Sequence, residues 1–243
     1  LNLSILMNFK NSNKEFAKDN RIIAMIPARI GSERLKQKNL QLINGRPMIS
    51  FAIQAAKESG VFDMILINSD SIVFKDIAKQ HFVDFYLREK AFGLSTTKSD
   101  DIVADFIISN NFQNDIIVWV NPVSPLISNS EIKDTVEYFL KKKLDTLISS
   151  DKRKVHFDFE GVPMNYKKNE KFAQTQDLKS ANLLVYSIMI FRSEVFLDSF
   201  RKFGYGMFAG KFGTYPASKL ATFFVKTKED LDLVRLIAKA QDL

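Results

Sequence analysis

The 243-residue sequence has no cysteine and only two histidines, His81 and His156. Without cysteine the chain cannot form disulfides, zinc–thiolate sites or a thiol nucleophile, and this absence is typical of proteins of the reducing cytoplasm. No apolar run approaches the roughly 20 residues that a membrane span requires, so we expect no membrane partner. The sequence therefore favours a cytoplasmic protein whose chemistry is carried by carboxylates, hydroxyls, amides and cations.

Positive charge exceeds negative charge in this sequence. Lysine and arginine number 35 against 28 aspartate and glutamate residues, which gives a formal net charge of +7. Such an excess indicates anionic partners, although a lysine-rich solvated surface explains part of it equally well. No basic patch is interleaved with exposed-type aromatics or matches a known nucleic-acid-binding module. We therefore expect no nucleic-acid partner, and a small phosphorylated substrate remains open.

Short β-branched runs alternate with amphipathic stretches from Arg21 onward. The runs predict strands over residues 22–26, 64–68, 83–87, 116–120 and 146–150. The stretches predict helices over 47–59, 72–81, 99–110, 129–142 and 229–240. We place Pro47 in the first turn of its helix, where no backbone donor is needed. The alternation predicts an α/β fold with a doubly wound, mostly parallel sheet, in which ligands bind at the carboxyl ends of the strands.

The domain organisation is predicted from the places where this alternation of strands and helices changes. Residues 1–20 are polar and irregular and are expected to form a flexible N-terminal extension, whose true start is open because a Met stands at position 7. Residues 21–243 are expected to form a single domain. Past residue 150 the pattern changes to short strands, including a hairpin, over 154–159, 162–166 and 183–191. Within 151–215 we therefore expect an insertion, an arm or a dimer contact.

The loop after the first predicted strand, residues 29–39, is called the first loop below. It holds four cations together with Gly31 and Ser32. Glycine permits close approach of a phosphate to the backbone, serine adds a hydroxyl donor, and cations offset the charge of a polyphosphate. The loop matches neither G-x-x-x-x-G-K-[ST] nor G-x-G-x-x-G, which disfavours those two nucleotide folds. A basic surface turn remains the structural alternative. The four cations are Arg29, Arg34, Lys36 and Lys38.

Four motifs in this order resemble those of the CMP-sugar synthetases, the cytidylyltransferases that activate acidic nine-carbon sugars such as sialic acid. They are Pro-Ala-Arg-x-Gly-Ser at 27–32 with Lys38-Asn39, Asn-Pro-Val-Ser-Pro-Leu at 121–126, Thr-Gln-Asp-Leu at 175–178 and Lys-Glu-Asp-Leu at 228–231. The resemblance covers nearly the whole range from Arg21 to Ala240. It implies a fold of the nucleotide-diphospho-sugar transferase type, a projecting dimerisation segment within 151–215, and a homodimer.

The same resemblance implies a reaction and roles for individual residues. The anomeric hydroxyl of the sugar would attack the α-phosphorus of CTP and release pyrophosphate, with magnesium as the cofactor. Catalytic roles on the triphosphate fall to Arg29 and Lys38. Nucleotide binding falls to Arg29, Gly31, Ser32, Lys38, Asn39 and Arg88, and binding on the sugar side to Asn121, Gln176 and Asp177.

The sequence departs from the family pattern where the family keeps its magnesium-binding Asp-x-Asp. Phe224 and Lys226 occupy these positions, and neither side chain can bind an oxygen-seeking cation. Magnesium could still arrive bound to CTP. Lys226 either points its ammonium at the phosphates in place of the metal or extends into solvent at a strand end. The alternative function is therefore a catalytically impaired homologue that binds a nucleotide or a protein partner.

Two further side chains have two interpretations each. His156 is either a general base for the sugar hydroxyl or a packed structural residue. Asp70 either approaches the nucleotide or caps the helix that follows it.

Overall fold

The computed structural model describes residues 20–241, so the expected extension over 1–20 lies outside the described residues except for its last position. The strands are β1 (Ile22–Ala28), β2 (Leu42–Ile43), β3 (Arg46–Pro47), β4 (Met64–Ser69), β5 (Asp84–Leu87), β6 (Ile116–Val120), β7 (Thr146–Arg153), β8 (Asp158–Phe159), β9 (Val162–Pro163), β10 (Ala181–Arg192) and β11 (Phe212–Pro216). The helices are α1 (Ile49–Ser59), α2 (Val73–His81), α3 (Ser99–Ser109), α4 (Asn129–Lys141), α5 (Ser193–Phe203) and α6 (Lys228–Ala240).

Seven strands form the central sheet in the order β11-β7-β10-β6-β1-β4-β5. All are parallel except β10, which runs antiparallel to both of its neighbours. The strand order reverses at β1, because β4 lies on one side of it and β6 on the other. The predicted α/β class and mostly parallel sheet are confirmed. The reversal also identifies where a ligand binds in such a sheet, between the loops that follow β1 and β6.

Side chains of β1 alternate between two apolar layers, as the period of a strand requires. Ala24 and Ile26 pack with residues of α1, α2 and α4, whereas Ile23 and Met25 pack with residues of α3 and α5. All four are fully buried. Because both faces of the sheet are covered by helices, β1 is a rigid central element, and the first loop begins directly at its carboxyl end.

One local prediction is wrong: Pro47 does not lie in a helix. It forms the two-residue strand β3 and pairs with Leu42 of β2. Asn44 and Gly45 form the connecting turn, and both have positive φ angles of 46° and 78°. Such a pair selects a tight hairpin turn, so the chain reverses first and α1 starts only at Ile49.

Residues 151–187, called the arm below, contain the part of the chain that lies outside the central sheet. The first residues of β10 pair only with the end of β7, from Ala181 opposite Arg153 to Leu184 opposite Ser150. Between them lies the hairpin of β8 and β9, which turns at Glu160 and Gly161 with φ angles of 50° and 81°. The predicted hairpin is present, but its strands are shorter than 154–159 and 162–166.

Two elements within or at the end of 151–215 were not predicted. One is a helix that packs on the central sheet, and the other is a strand of that sheet. Helix α5 buries Phe196 and Leu197 in one of its apolar layers, and β11 pairs in parallel with β7. The projecting part is therefore narrower than 151–215. No helix among the described residues combines the length and apolar composition needed to cross a membrane.

Candidate active site

Three contacts hold the first loop in place: one to the residue after β4, one between the two ends of the loop, and one with an apolar cluster. The backbone N–H of Ile30 donates a hydrogen bond to Asp70 Oδ1 at 3.1 Å, and Asn39 Nδ2 donates to the carbonyl oxygen of Arg29 at 3.4 Å. Leu35 packs against an apolar cluster that includes Val225. These contacts hold both ends and the middle of the loop while its charged side chains stay available. Asp70 therefore anchors the first loop and does not cap α2, which begins at Val73 after Ile72.

Lys38 lies in a concentration of positive charge. It is half-buried at the start of a 3₁₀ turn over residues 38–40. Burial, together with the positive charges of Arg34, Arg29 and Lys226, lowers its pKa to about 8, against an opposing effect of Asp230. Among residues 20–241 none of these four cations forms an ion pair with a carboxylate. A bound polyphosphate would supply the missing negative charge.

Arg88 and Asn39 form a buried polar floor beside the first loop. Their side chains are 3% and 4% exposed. Arg88 Nη1 donates to the carbonyl oxygen and to Oδ1 of Asn68 at 3.1 and 3.3 Å. Its Nε, and Oδ1 of Asn39, are buried atoms without a hydrogen-bond partner in the described structure. One free donor and one free acceptor at this depth suit a polar ligand group such as a nucleobase, because leaving them unpaired costs free energy.

Burial also lowers the pKa of Arg88, and Asp70 and Asp105 act against this effect. The positive charge of Arg29 lowers the pKa of Arg88 as well, which shows that the two guanidinium groups interact across the site. The charge of Arg29 thus acts on both Lys38 and Arg88.

Gly31 and Ser32 lie at the open end of the first loop. A Cβ atom added to Gly31 meets no atom within 4 Å. Ser32 makes no hydrogen bond to another described residue. The space above Gly31 and the free hydroxyl of Ser32 are both available to a ligand.

The structure places the three predicted sugar-side residues at two locations. Asn121 follows β6 at the carboxyl edge of the sheet, where its Nδ2 donates to the carbonyl oxygen of Tyr186 at 2.9 Å and its Oδ1 accepts from the N–H of Val123 at 3.3 Å. Gln176 and Asp177 lie in a 3₁₀ turn of the arm. No hydrogen bond or ion pair of the described chain joins either of them to the first loop.

A cavity of about 620 Å³ lies in the arm and includes Asp177 in its lining. His156 lines the same cavity, stacked on Phe172 with ring centroids 4.1 Å apart and edge-on to Tyr166 at 5.1 Å. These contacts favour the packing role for His156. The remaining polar lining is rich in lysine: Lys167, Lys168, Lys171 and Lys179.

Phe224 and Lys226 line a second cavity, of about 250 Å³, with Asp230 as its only carboxylate. Asp230 Oδ2 already accepts the N–H groups of Lys226 at 2.8 Å and Thr227 at 2.9 Å, in a capping box at the start of α6. Burial alone would raise its pKa, but these backbone donors lower it on balance. This donor set does not fit magnesium, which requires several carboxylate or carbonyl oxygens. Residues 20–241 contain no group of three or more potential metal ligands.

Sequence reasoning missed Asp70 as the anchor of the first loop and left two possibilities for Lys226. The hydrogen bond from Ile30 to Asp70 spans 40 residues. The sequence carries one signal for this anchoring role: Asp70 comes just after a strand end, next to the loop of a neighbouring strand. Lys226 is exposed, and its positive charge is one of those that lower the Lys38 pKa, which keeps both possibilities open.

Comparison with known proteins gives matches across most of the chain. The family model described as cytidylyltransferase matches residues 23–235. An N-acylneuraminate cytidylyltransferase of Streptococcus agalactiae serotype V is 28% identical over 216 residues, which cover 86% of this chain and 51% of that relative. A CMP-N,N'-diacetyllegionaminic acid synthase of Legionella pneumophila is 35% identical over 123 residues, which cover 48% of this chain and 52% of that relative. The chain thus spans about half the length of both relatives.

A solved structure of CMP:2-keto-3-deoxy-manno-octonic acid synthetase complexed with CTP superposes on this chain with a TM-score of 0.67. The match covers 92% of this chain and 100% of that one at 16% sequence identity. At this identity the likeness shows a shared fold.

Proposed function

Since the chain belongs to the cytidylyltransferase family, we propose that it transfers CMP from CTP to the anomeric hydroxyl of a sialic-acid-like acidic sugar. The observation that carries this proposal is the first loop, where Arg29, Arg34 and Lys38 converge without a carboxylate partner at the point where the strand order reverses. A triphosphate is the ligand whose charge and length suit three cations on one loop.

In the proposed reaction, the hydroxyl oxygen of the sugar forms a bond to the α-phosphorus of CTP. The bond from that phosphorus to the oxygen bridging to the β-phosphate breaks, pyrophosphate leaves, and the hydroxyl proton passes to solvent. Such transfers depend mainly on positioning and on neutralising charge. Arg29 and Lys38 hold the triphosphate and stabilise the charge that develops at the α-phosphate.

The remaining first-loop residues and the polar floor bind the rest of the nucleotide. Gly31 and Ser32 line the phosphates, where the structure has open space and a free hydroxyl. Asn39 and Arg88 bind the nucleoside through the acceptor and the donor that are buried without partners.

The acidic sugar and the dimer are parts of the same proposal. Two relatives carry the names of acylneuraminate and diacetyllegionaminic acid enzymes, and both of these sugars are acidic. We assign the sugar side to Asn121, Gln176 and Asp177, and the homodimer contact to the arm, whose hairpin exposes Phe159 and Val162 at 63% and 61%. A cytoplasmic location is consistent with the lack of cysteine.

Magnesium enters this proposal only as a complex with CTP. Phe224 and Lys226 provide no oxygen ligand, and Asp230 is committed to the cap of α6. No step of the proposed reaction is assigned to a metal held by this chain.

Phe224 and Lys226 also favour a second candidate function, a homologue that binds the nucleotide without turnover. One experiment separates the two functions. The protein is incubated with each nucleoside triphosphate and a panel of acidic sugars, with magnesium, and pyrophosphate release is measured beside CTP binding by calorimetry. Release with CTP and one sugar supports the enzyme. CTP binding without release in every pair supports the binding protein, and no nucleotide binding overturns both.

A further inference from the structure

We propose that the triphosphate site needs no metal ion held by the protein, because Lys226 supplies a positive charge next to the first loop. This inference rests on the proposed function, since it takes CTP as the ligand. It extends that function by assigning a role to Lys226, which stands where the resembled family keeps a magnesium-binding aspartate.

The segment that carries Lys226, residues 221–227, is fixed next to the first loop. The N–H of Val225 donates to the carbonyl oxygen of Val123 at 2.8 Å, and Ser124 Oγ donates to the carbonyl oxygen of Ala221 at 2.6 Å. Both partners belong to the loop after β6. The segment is thus attached to one of the two loops that flank the point where the strand order reverses.

Packing joins residues 221–227 to the first loop as well, which is the other loop beside the point where the strand order reverses. Val225 is fully buried in an apolar cluster against which Leu35 of the first loop packs. Lys226 comes directly after Val225, and its backbone N–H is held by Asp230. Since the backbone is fixed on both sides of its Cα atom, the origin of the Lys226 side chain is also fixed relative to Lys38.

The ammonium of Lys226 has no ion-pair partner among residues 20–241. Asp230, four residues later, uses Oδ2 for two backbone N–H groups. The influence of Lys226 on the Lys38 pKa agrees with an ammonium directed toward the first loop. The side chain is exposed and therefore accessible to a ligand.

The formal charges of the site support this proposal. A triphosphate carries about four negative charges at neutral pH. Four cations lie close enough to interact, namely Arg29, Arg34 and Lys38 of the first loop and Lys226. Their summed charge of about +4 matches the ligand without a metal ion, and an added carboxylate pair would remove this balance.

The test is calorimetric titration of CTP into the protein, once in EDTA and once in magnesium. We expect wild-type affinity in EDTA to lie within about threefold of that in magnesium. Lys226→Ala should weaken CTP binding in EDTA by about ten- to a hundredfold, the usual effect of losing one hydrogen bond between charged groups. Lys226→Arg should retain most of the affinity.

Lys228→Ala is the matched control, because Lys228 is only two residues away and is already paired with Asp232. It removes the same charge and should leave CTP affinity in EDTA unchanged. Far-UV circular dichroism and thermal unfolding of each variant confirm that the fold is retained.

A second variant tests the inference in the opposite direction. Phe224→Asp combined with Lys226→Asp places two carboxylates in the cavity and should make CTP binding depend on magnesium. Wild-type binding that requires magnesium, or equal affinities for wild type and Lys226→Ala in EDTA, would overturn the inference and leave the proposed function standing. No CTP binding in either buffer would overturn the proposed function itself.

Discussion

The first loop and the arm are both rich in cations, yet their cations have different surroundings. In the arm, Lys167 pairs with Glu170, and Lys168 donates to the carbonyl oxygen of Gly161. In the first loop, Arg29 and Lys38 have no carboxylate partner within the described chain, and one of them is partly buried next to other cations. Unpaired charge held on a rigid scaffold indicates a ligand site, whereas paired and exposed charge is typical of a solvated surface.

The first loop and the arm also differ in how firmly their backbones are held. The first loop continues from a fully buried strand and is fixed by Asp70, Asn39 and Leu35. The arm is a two-stranded ribbon whose outer part has exposed apolar side chains, Phe172 at 85% among them. Two-stranded ribbons are marginally stable alone. We therefore expect substitutions in the first loop to affect nucleotide chemistry and those in the arm to affect assembly.

The largest expected effect comes from removing Lys38. Lys38→Ala should lower kcat/KM for CTP by about 10²- to 10³-fold, the usual effect of removing one group that stabilises a charged transition state. Pyrophosphate release at several CTP concentrations measures it. Lys75→Ala, which removes an exposed lysine of α2, is the control and should behave as wild type. A Lys38→Ala enzyme with unchanged kcat/KM would refute the role of the first loop.

The next prediction concerns the arm. Phe159→Lys combined with Val162→Lys places charges on a cross-strand pair of the hairpin, and we expect sedimentation velocity to show monomers where wild type forms dimers. CTP affinity should stay within about twofold of wild type, because the first loop is intact. Phe82→Lys, at an exposed phenylalanine outside the arm, is the control. A dimer that survives the double substitution would contradict the assignment of the contact to the arm.

The difference between the two regions also explains what the sequence could predict. Strands β1, β4, β5 and β6 were predicted to within two residues because each is a short apolar run between polar turns. The rule that ligands bind at the carboxyl ends of parallel strands then pointed to the first loop. The family motif in that loop pointed to Arg29 and Lys38. These inferences need only the residues of one strand and the loop that follows it.

The misses have both local and long-range causes. Pro47 was misplaced because the Asn44–Gly45 hairpin turn was not recognised. Helix α5 was missed although its apolar residues and the glycine after it, Gly204 with a φ angle of 79°, carry ordinary helix signals. The place of Gln176 in the arm has no local signal, since the path of the arm is set by the pairing of β10 with β7. The same holds for Lys226, whose position depends on how residues 221–227 pack.

The third prediction uses the pKa of Lys38. Because this pKa is about 8 in the free protein, CTP affinity should fall about tenfold between pH 7 and pH 9 as the side chain loses its proton. The terminal phosphate titrates near pH 6 and stays ionised in this range. Lys38→Arg, which remains protonated, should flatten the profile, and a wild-type profile as flat as that of Lys38→Arg would refute the assignment.

The same shift has an opposite effect on folding. The folded-state pKa lies below the ordinary value of 10.5, so the unfolded chain binds more protons between about pH 8 and pH 10.5. The Lys38 contribution to the free energy of unfolding therefore rises with pH across that window. Loss of CTP affinity without loss of stability distinguishes this titration from general alkaline unfolding.

The smallest expected effect concerns the anchor of the first loop. A Cβ atom at Gly93 would lie 2.7 Å from Cβ of Asp70, so Gly93→Ala must displace the side chain that accepts the Ile30 N–H. We expect about threefold weaker CTP binding, because the cations remain but the loop is held less firmly. Gly213→Ala is the control, since it creates a similar overlap with Leu144 away from the first loop. If both variants lose stability and only Gly93→Ala loses CTP affinity, then the rigid attachment of the first loop is the property that distinguishes it from the arm. Equal CTP affinities in the two variants would show that the loop keeps its geometry without Asp70.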